Sequence, residues 1–232
     1  GTQLLVGHVP MLLHPNPKKA FLVGLASGIT LGAILQHPEM ERVDVAELEP
    51  AVPEAAATFA RFNNNAMSNP KVRVFTTDAR NYILTTNEKY DVIAAEPSNP
   101  WVKGSSTIFS REVFETYRDR LNEDGLVMQW VQVYRLRNED LKTMINTFRS
   151  VFPHTTLFSQ FNYPDLLMIG SLKPLKLDLD TLQTKLQDEN VNKSLARVRS
   201  NDLYTILSFL LMDESSVALY AGEAPINTDD KP

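Results

Sequence analysis

The chain has 232 residues, 43% of them hydrophobic and 22% charged, with a net charge of −5 at pH 7. That is an ordinary globular composition, and its mild acidity does not favour a nucleic-acid partner. Cysteine is absent, which excludes disulfides and thiolate metal sites, and no apolar run approaches the roughly 20 residues of a membrane helix.

The opening GTQLLVGHVP reads as the middle of an element, with no signal-peptide pattern, so the chain is expected to be a fragment. From residue 20 onward, β-rich runs alternate with helical stretches. AFLVG (20–24) predicts a first strand, followed by the turn Gly24-Leu25-Ala26-Ser27-Gly28 and a helix over 28–36. Strands are then expected at 43–47, 71–76, 91–95 and 125–132, with helices at 50–62, 79–85 and 110–121. Pro50 at a first helical turn and Gly125 after a helix punctuate that pattern. Val- and Ile-rich strands separated by helices predict a mostly parallel sheet covered on both faces. An amphipathic helix at 138–150 precedes two runs, 154–159 and 166–170, that would close the sheet as an antiparallel pair. Beyond Pro174 the pattern is helical with no strand, ending in the exposed-looking INTDDKP. The expected organisation is therefore one α/β domain over 1–172 and a helical appendage over 173–232 packed on it.

In a doubly wound sheet, ligands bind beyond the carboxyl ends of the strands. Four strand ends here carry suitable residues. Gly24 and Gly28 bracket Ser27 in a turn whose small residues let the backbone approach a ligand. Glu47, nineteen residues beyond Gly28, can accept hydrogen bonds from ribose hydroxyls. Asp78 and Ala79 follow the third strand, where a carboxylate can accept from an exocyclic adenine amine. Glu96-Pro97-Ser98-Asn99-Pro100 follows the fourth. Each has a plainer reading as well: a tight connection, a solvated acid, a helix N-cap at Asp78, a rigid proline loop. The full G-x-G-x-x-G spacing is missing, which weakens a dinucleotide reading. The four histidines lie too far apart for a metal-ligand pattern, and no nucleophile-elbow sequence surrounds Ser27, Ser98 or Ser105.

Taken together, HVPMLLHPNPKKAFLVG, VDVAELEPAV, NPKVRVFTTDARNYI, YDVIAAEPSNP and TIFSREVFE resemble the polyamine aminopropyltransferases, in their order and spacing, from Gln3 to about Gln132. EPSNPW and the ending NTDDKP are most similar to the branch often fused to N-terminal transmembrane segments. The resemblance implies a Rossmann-like fold of the class I methyltransferase type. It implies decarboxylated S-adenosylmethionine as co-substrate, with no tightly bound cofactor, and a small-molecule amine as acceptor. Ribose would be held by Glu47 and adenine by Asp78 beside Ala79. Gln3 and the Gly24–Gly28 turn would contact the donor. Glu96 stands where the family has the aspartate that helps deprotonate the attacking amine, and Asn99 and Asp229 fall on the substrate side. The resemblance also implies a cytoplasmic protein or cytoplasmic domain. An attached membrane segment outside the chain and a homodimer stay open.

The departures fall on the amine half. The family's turn carries an aspartate where this chain has Ser27, and the second acid of its D-x-x-D motif is Asn99. Thr2 and Ile226 stand in place of two tyrosines. Intact S-adenosylmethionine as donor, a methyltransferase-like reaction, or a non-catalytic nucleoside-binding module are the alternatives these changes leave.

Overall fold

A computed structural model describes residues 1–97, 106–160 and 165–231. Its frame is an eight-stranded sheet of order β3-β2-β1-β4-β5-β7-β6-β8. The strands are β1 (Lys19–Val23), β2 (Arg42–Glu47), β3 (Val72–Thr76), β4 (Tyr90–Ala95), β5 (Leu121–Gln132), β6 (His154–Phe158), β7 (Asp165–Ser171) and β8 (Leu210–Met212). β1 to β5 are mutually parallel; β7 pairs antiparallel with both β5 and β6, and β8 antiparallel with β6. The mostly parallel sheet and its antiparallel closure agree with the sequence expectation.

Alternation along the strands builds two cores. Leu22, Val45, Ala94, Met128 and Ile169 face one layer. That layer holds α1 (Thr2–Leu13), α2 (Ile29–Ile34), α3 (Val52–Thr58), α7 (Leu179–Gln187), α8 (Glu189–Ala196) and α9 (Leu203–Ser208). Phe21, Ile93, Val127 and Met168 face the other, built from α4 (Ala79–Thr85), α5 (Arg111–Asp119), α6 (Asn138–Val151) and α10 (Glu214–Ala221). One-residue alternation sending neighbours to opposite cores is what a sheet covered on both sides requires.

The structure differs from expectation in four places. The opening residues form α1, which the sequence hid because Gly7 and Pro10 both disfavour a helix interior. Tertiary packing overrides that propensity. Leu4 to Leu13 are buried, and a Cβ on Gly7 would come within 2.7 Å of the Thr30 carbonyl oxygen, so only glycine permits this helix crossing. The helix expected over 50–62 stops at Thr58, where the chain turns toward left-handed Asn64 and Asn65. The helix expected over 110–121 ends at Asp119, and β5 begins at Leu121 instead of 125. Finally, Leu210–Met212 forms an edge strand inside the stretch expected to be purely helical. The C-terminal segment thus packs its helices on both faces and adds a strand to the same sheet.

Two buried polar clusters brace the frame. Asp44 on β2 accepts from Arg73 Nε (2.7 Å), Arg73 Nη2 (2.8 Å) and the Tyr90 hydroxyl (2.8 Å). Burial pushes its carboxyl up, but these hydrogen bonds win and hold it below its ordinary value. Under α1, His8 lies 2.9 Å from His37 and 2.8 Å from the Ser194 hydroxyl, tying α1 to α8. Among the described residues no helix is long and apolar enough to cross a membrane.

Candidate active site

The order β2-β1-β4 places the topological switch between β1 and β4, and the chain's acidic strand ends gather around it. The turn after β1 uses left-handed backbone at Gly24 (φ 82°), Ala26 (φ 47°) and Gly28 (φ 73°). Side chains from two directions hold it there. Glu47 Oε2 accepts from the Leu25 amide at 2.9 Å, and Asn63 Nδ2 donates to the Ser27 carbonyl at 3.0 Å. Asn63 is itself fixed by contact with Gly32, where an added Cβ would lie 2.2 Å from the Asn63 carbonyl oxygen.

Glu47 therefore sits against the turn, while its Oε1 accepts from the Glu49 amide at 3.0 Å. Both oxygens carry a backbone bond, and each keeps a second lone pair for a ligand. Asp78 is the N-cap of α4, with Oδ1 accepting from the Asn81 amide at 2.9 Å, and Ala79 is the first helical residue. The plainer reading of Asp78 is thus realised, with Oδ2 left over.

α1 delivers Gln3 to the same place. Gln3 Oε1 accepts from the Ser27 hydroxyl at 3.1 Å, and its carbonyl lies 3.2 Å from Thr30 Oγ1. Thr30 Oγ1 lies 2.6 Å from Glu96 Oε2 just beyond β4. Burial pushes the Glu96 carboxyl up to about 7. Hydrogen bonds from Thr30 and Gln3 oppose that rise, and the charge of Asp165 adds to it. A carboxyl poised near neutrality can hold or accept a proton at physiological pH, which suits general acid–base work.

Sequence reasoning passed over Thr30, Asn63 and Asp165. Thr30 and Asn63 carry no signal beyond ordinary helix and loop residues. Asp165 had one, a lone acid opening the apolar run DLLMIG. Its Oδ2 accepts from Thr2 Oγ1 at 2.6 Å, so Thr2 at the other end of the chain reaches it.

Asp229 is placed differently from the expectation of a spare substrate-side acid. Its carboxylate forms a two-pronged ion pair with Arg80 of α4, and its amide donates to Glu112 at 3.0 Å. The tail is anchored by Asn227, whose Nδ2 donates to the Phe109 carbonyl at 3.1 Å. The Asp229 charge is thus matched by the Arg80 guanidinium. Asp230 is exposed. Asn99, with Ser98, Pro100 and Trp101, lies outside the described residues. Among the described residues no group of histidine and acid side chains is arranged to hold a metal ion.

The Spermine/spermidine synthase domain family model matches residues 2–171. The polyamine aminopropyltransferase of Methanocaldococcus jannaschii is 29% identical over 209 residues, covering 82% of this chain and 70% of that protein. The polyamine aminopropyltransferase of Caldicellulosiruptor bescii is 28% identical over 201 residues, covering 82% and 72%. The one from Thermotoga maritima is 28% identical over 169 residues, and there the chain spans only 55% of the relative's length. Among solved structures, spermidine synthase from Thermotoga maritima superposes with a TM-score of 0.74 at 22% identity, over 95% of this chain and 74% of that one. Human methyltransferase-like protein 13 in complex with SAH gives 0.60 at 20% identity, over 89% and 94%. At these identities the two structures speak for the fold, a Rossmann-like sheet of the class I methyltransferase type.

Proposed function

The chain belongs to the spermine/spermidine synthase domain family, a family of transferase-like enzymes, and from that premise we propose that it transfers an aminopropyl group from decarboxylated S-adenosylmethionine to an amine. The observation that carries this reading is Glu96, a half-buried carboxyl pushed up to about 7 beside the glycine turn, with no cation paired to it among the described residues. An amine attacks only as the neutral form, so a carboxylate that removes or orients its proton lowers the barrier. In the proposed step the amine lone pair forms a C–N bond to the carbon beside the donor's sulfonium. The C–S bond breaks, its electron pair stays on sulfur, and methylthioadenosine leaves. The proton of the new ammonium passes to Glu96.

The remaining residues divide the donor between them. Glu47 accepts from the ribose hydroxyls and Asp78 from the adenine amine, beside Ala79. Gly24 and Gly28 let the turn approach the donor closely, and Gln3 with Ser27 lines its aminopropyl end. A second reading, in which intact S-adenosylmethionine is the donor, is favoured by one observation. Ser27 offers a hydroxyl, already turned to Gln3, where a carboxylate would repel the intact donor's own carboxylate. Calorimetric titration with methylthioadenosine and both donor forms tests the nucleoside half directly. Binding of methylthioadenosine that is lost in Glu47→Gln supports the assignment; no measurable binding of any of the three removes it.

A further inference from the structure

On the helical layer that carries α2 and α8, a cavity of about 450 Å³ opens away from the strand ends. Three stretches far apart in sequence wall it: Gln36 beyond α2, the turn after α3, and the outer side of α8. Gln36 lies past the end of α2 that points away from the glycine turn. None of Glu47, Asp78 and Glu96 lines the space, so it is separate from the donor site.

The lining is cationic. Arg61, Lys193 and Arg197 bring three positive charges to it, and among the described residues no acid lines it. In a chain of net charge −5 that is a local reversal of sign. Arg61 and Lys193 pair with no acid among the described residues. Arg197 Nη1 donates to the Phe62 carbonyl at 3.0 Å, which ties the end of α8 to the turn and leaves the charge unneutralised. That charge reaches His8, buried beneath Ser194, and helps to keep the ring neutral. Lys193 and Arg197 stand in the last turn of α8 and at its C-cap, where cations suit the helix dipole. The dipole accounts for those two. Arg61 comes from another element, and like charges gathered around one space repel.

We propose that this cavity binds a diphosphate-bearing anion. Three cations from two elements match the charge of a diphosphate, and the planar arginine fork takes phosphate oxygens two at a time. Asn64 and Asn190 add amide donors whose side chains make no other hydrogen bond among the described residues. A space of this size suits a small organic ligand. Phe62, 51% exposed, offers it a ring on which a flat base can stack. The proposal does not depend on the transferase reading.

Calorimetric titration with UDP and with pyrophosphate, without and with saturating methylthioadenosine, tests it. Either probe should bind, and methylthioadenosine should leave that binding unchanged. An exposed ion pair contributes up to roughly fivefold in affinity, so Arg61→Gln and Lys193→Gln should each weaken binding about three- to fivefold. Together they should weaken it about tenfold or more. Both side chains are exposed and hold no part of the fold, so these variants should fold normally. Lys176→Gln removes an exposed cation outside the cavity and should change nothing. Tighter binding of UDP than of pyrophosphate, lost in Phe62→Ala, assigns a nucleotide; equal binding assigns the inorganic anion. No binding of either probe, no loss in the double variant, or an equal loss in Lys176→Gln overturns the proposal. Displacement of UDP by methylthioadenosine also overturns it, because the probe then sits in the nucleoside site. If methylthioadenosine itself does not bind, the nucleoside assignment falls while the cation variants still decide this one.

Discussion

Thr30 Oγ1 stands between two acceptors, 2.6 Å from Glu96 Oε2 and 3.2 Å from the Gln3 carbonyl, with one proton to give. The hydroxyl donates to Glu96 Oε2, a bond that favours the carboxylate and opposes the rise that burial imposes, while the Gln3 carbonyl is the longer contact. Burial outweighs these bonds and pushes the carboxyl up to about 7. Folding then takes up a proton between the ordinary glutamate value near 4.5 and about 7, so stability falls as pH rises through that window. Glu96→Gln should remove this dependence. Relative to the unaltered protein it should be more stable at pH 8 than at pH 5 by on the order of 2–3 kcal/mol, read from urea midpoints. A stability difference independent of pH would show that Glu96 ionises normally.

Glu47 does two jobs, and its replacement should reveal both. Glutamine has one acceptor oxygen where the carboxylate has two, so either the Leu25 or the Glu49 amide loses its partner. Glu47→Gln should weaken methylthioadenosine binding roughly 10- to 100-fold in calorimetry. Unchanged affinity would take the residue out of the nucleoside site.

Donor choice turns on Ser27. Two like charges about 4 Å apart repel by around 4 kcal/mol at an effective dielectric near 20, and Ser27 imposes no such penalty on the intact donor. Of the two tail acids that could compensate, Asp229 is paired with Arg80 and Asp230 is exposed. The protein should therefore bind decarboxylated and intact S-adenosylmethionine within about tenfold, and Ser27→Asp should shift preference toward the decarboxylated form. A hundredfold preference already present in the unaltered protein contradicts this.

The histidine pair under α1 sets the acid limit of the fold. Burial, aided by the charge of Arg197, pushes His8 down to about 3. Burial, with His8 and Lys185 adding to it, pushes His37 far below its ordinary value. Below about 6.5 the unfolded chain protonates both while the folded chain cannot, so stability falls with pH by about 1.4 kcal/mol per unit for each. Glu96 offsets one of the two protons over the same window. Urea midpoints taken between pH 6.5 and 5 should decline by the equivalent of about one proton or more. A flat profile would mean that the pair is not buried neutral.

The sheet was legible because its strands are short, β-branched and separated by amphipathic helices, a pattern with one usual solution. The positions of Glu47, Asp78 and Glu96 at or just beyond strand ends were legible for the same reason. α1 was not, because Gly7 and Pro10 oppose a helix locally and only packing against Thr30 and Ala33 explains the glycine. β8 was missed because three residues at a sheet edge take their form from β6. Asp165 shows the same limit at the site. A lone acid opening an apolar run is its one local signal, and its partner Thr2 is 163 residues away.

The central claim is that Glu96 accepts the proton of an attacking amine at a nucleoside-binding turn. Its most direct test is methylthioadenosine formation by the purified protein given decarboxylated S-adenosylmethionine and 1,4-diaminobutane, followed by mass spectrometry across pH 5 to 9. The account predicts one aminopropylated amine per methylthioadenosine, a rate that climbs through an apparent pKa near 7, and a loss of about 10²–10⁴-fold in Glu96→Gln with donor affinity little changed. Full turnover in Glu96→Gln, or donor binding without any transfer to an amine at any pH, would contradict it.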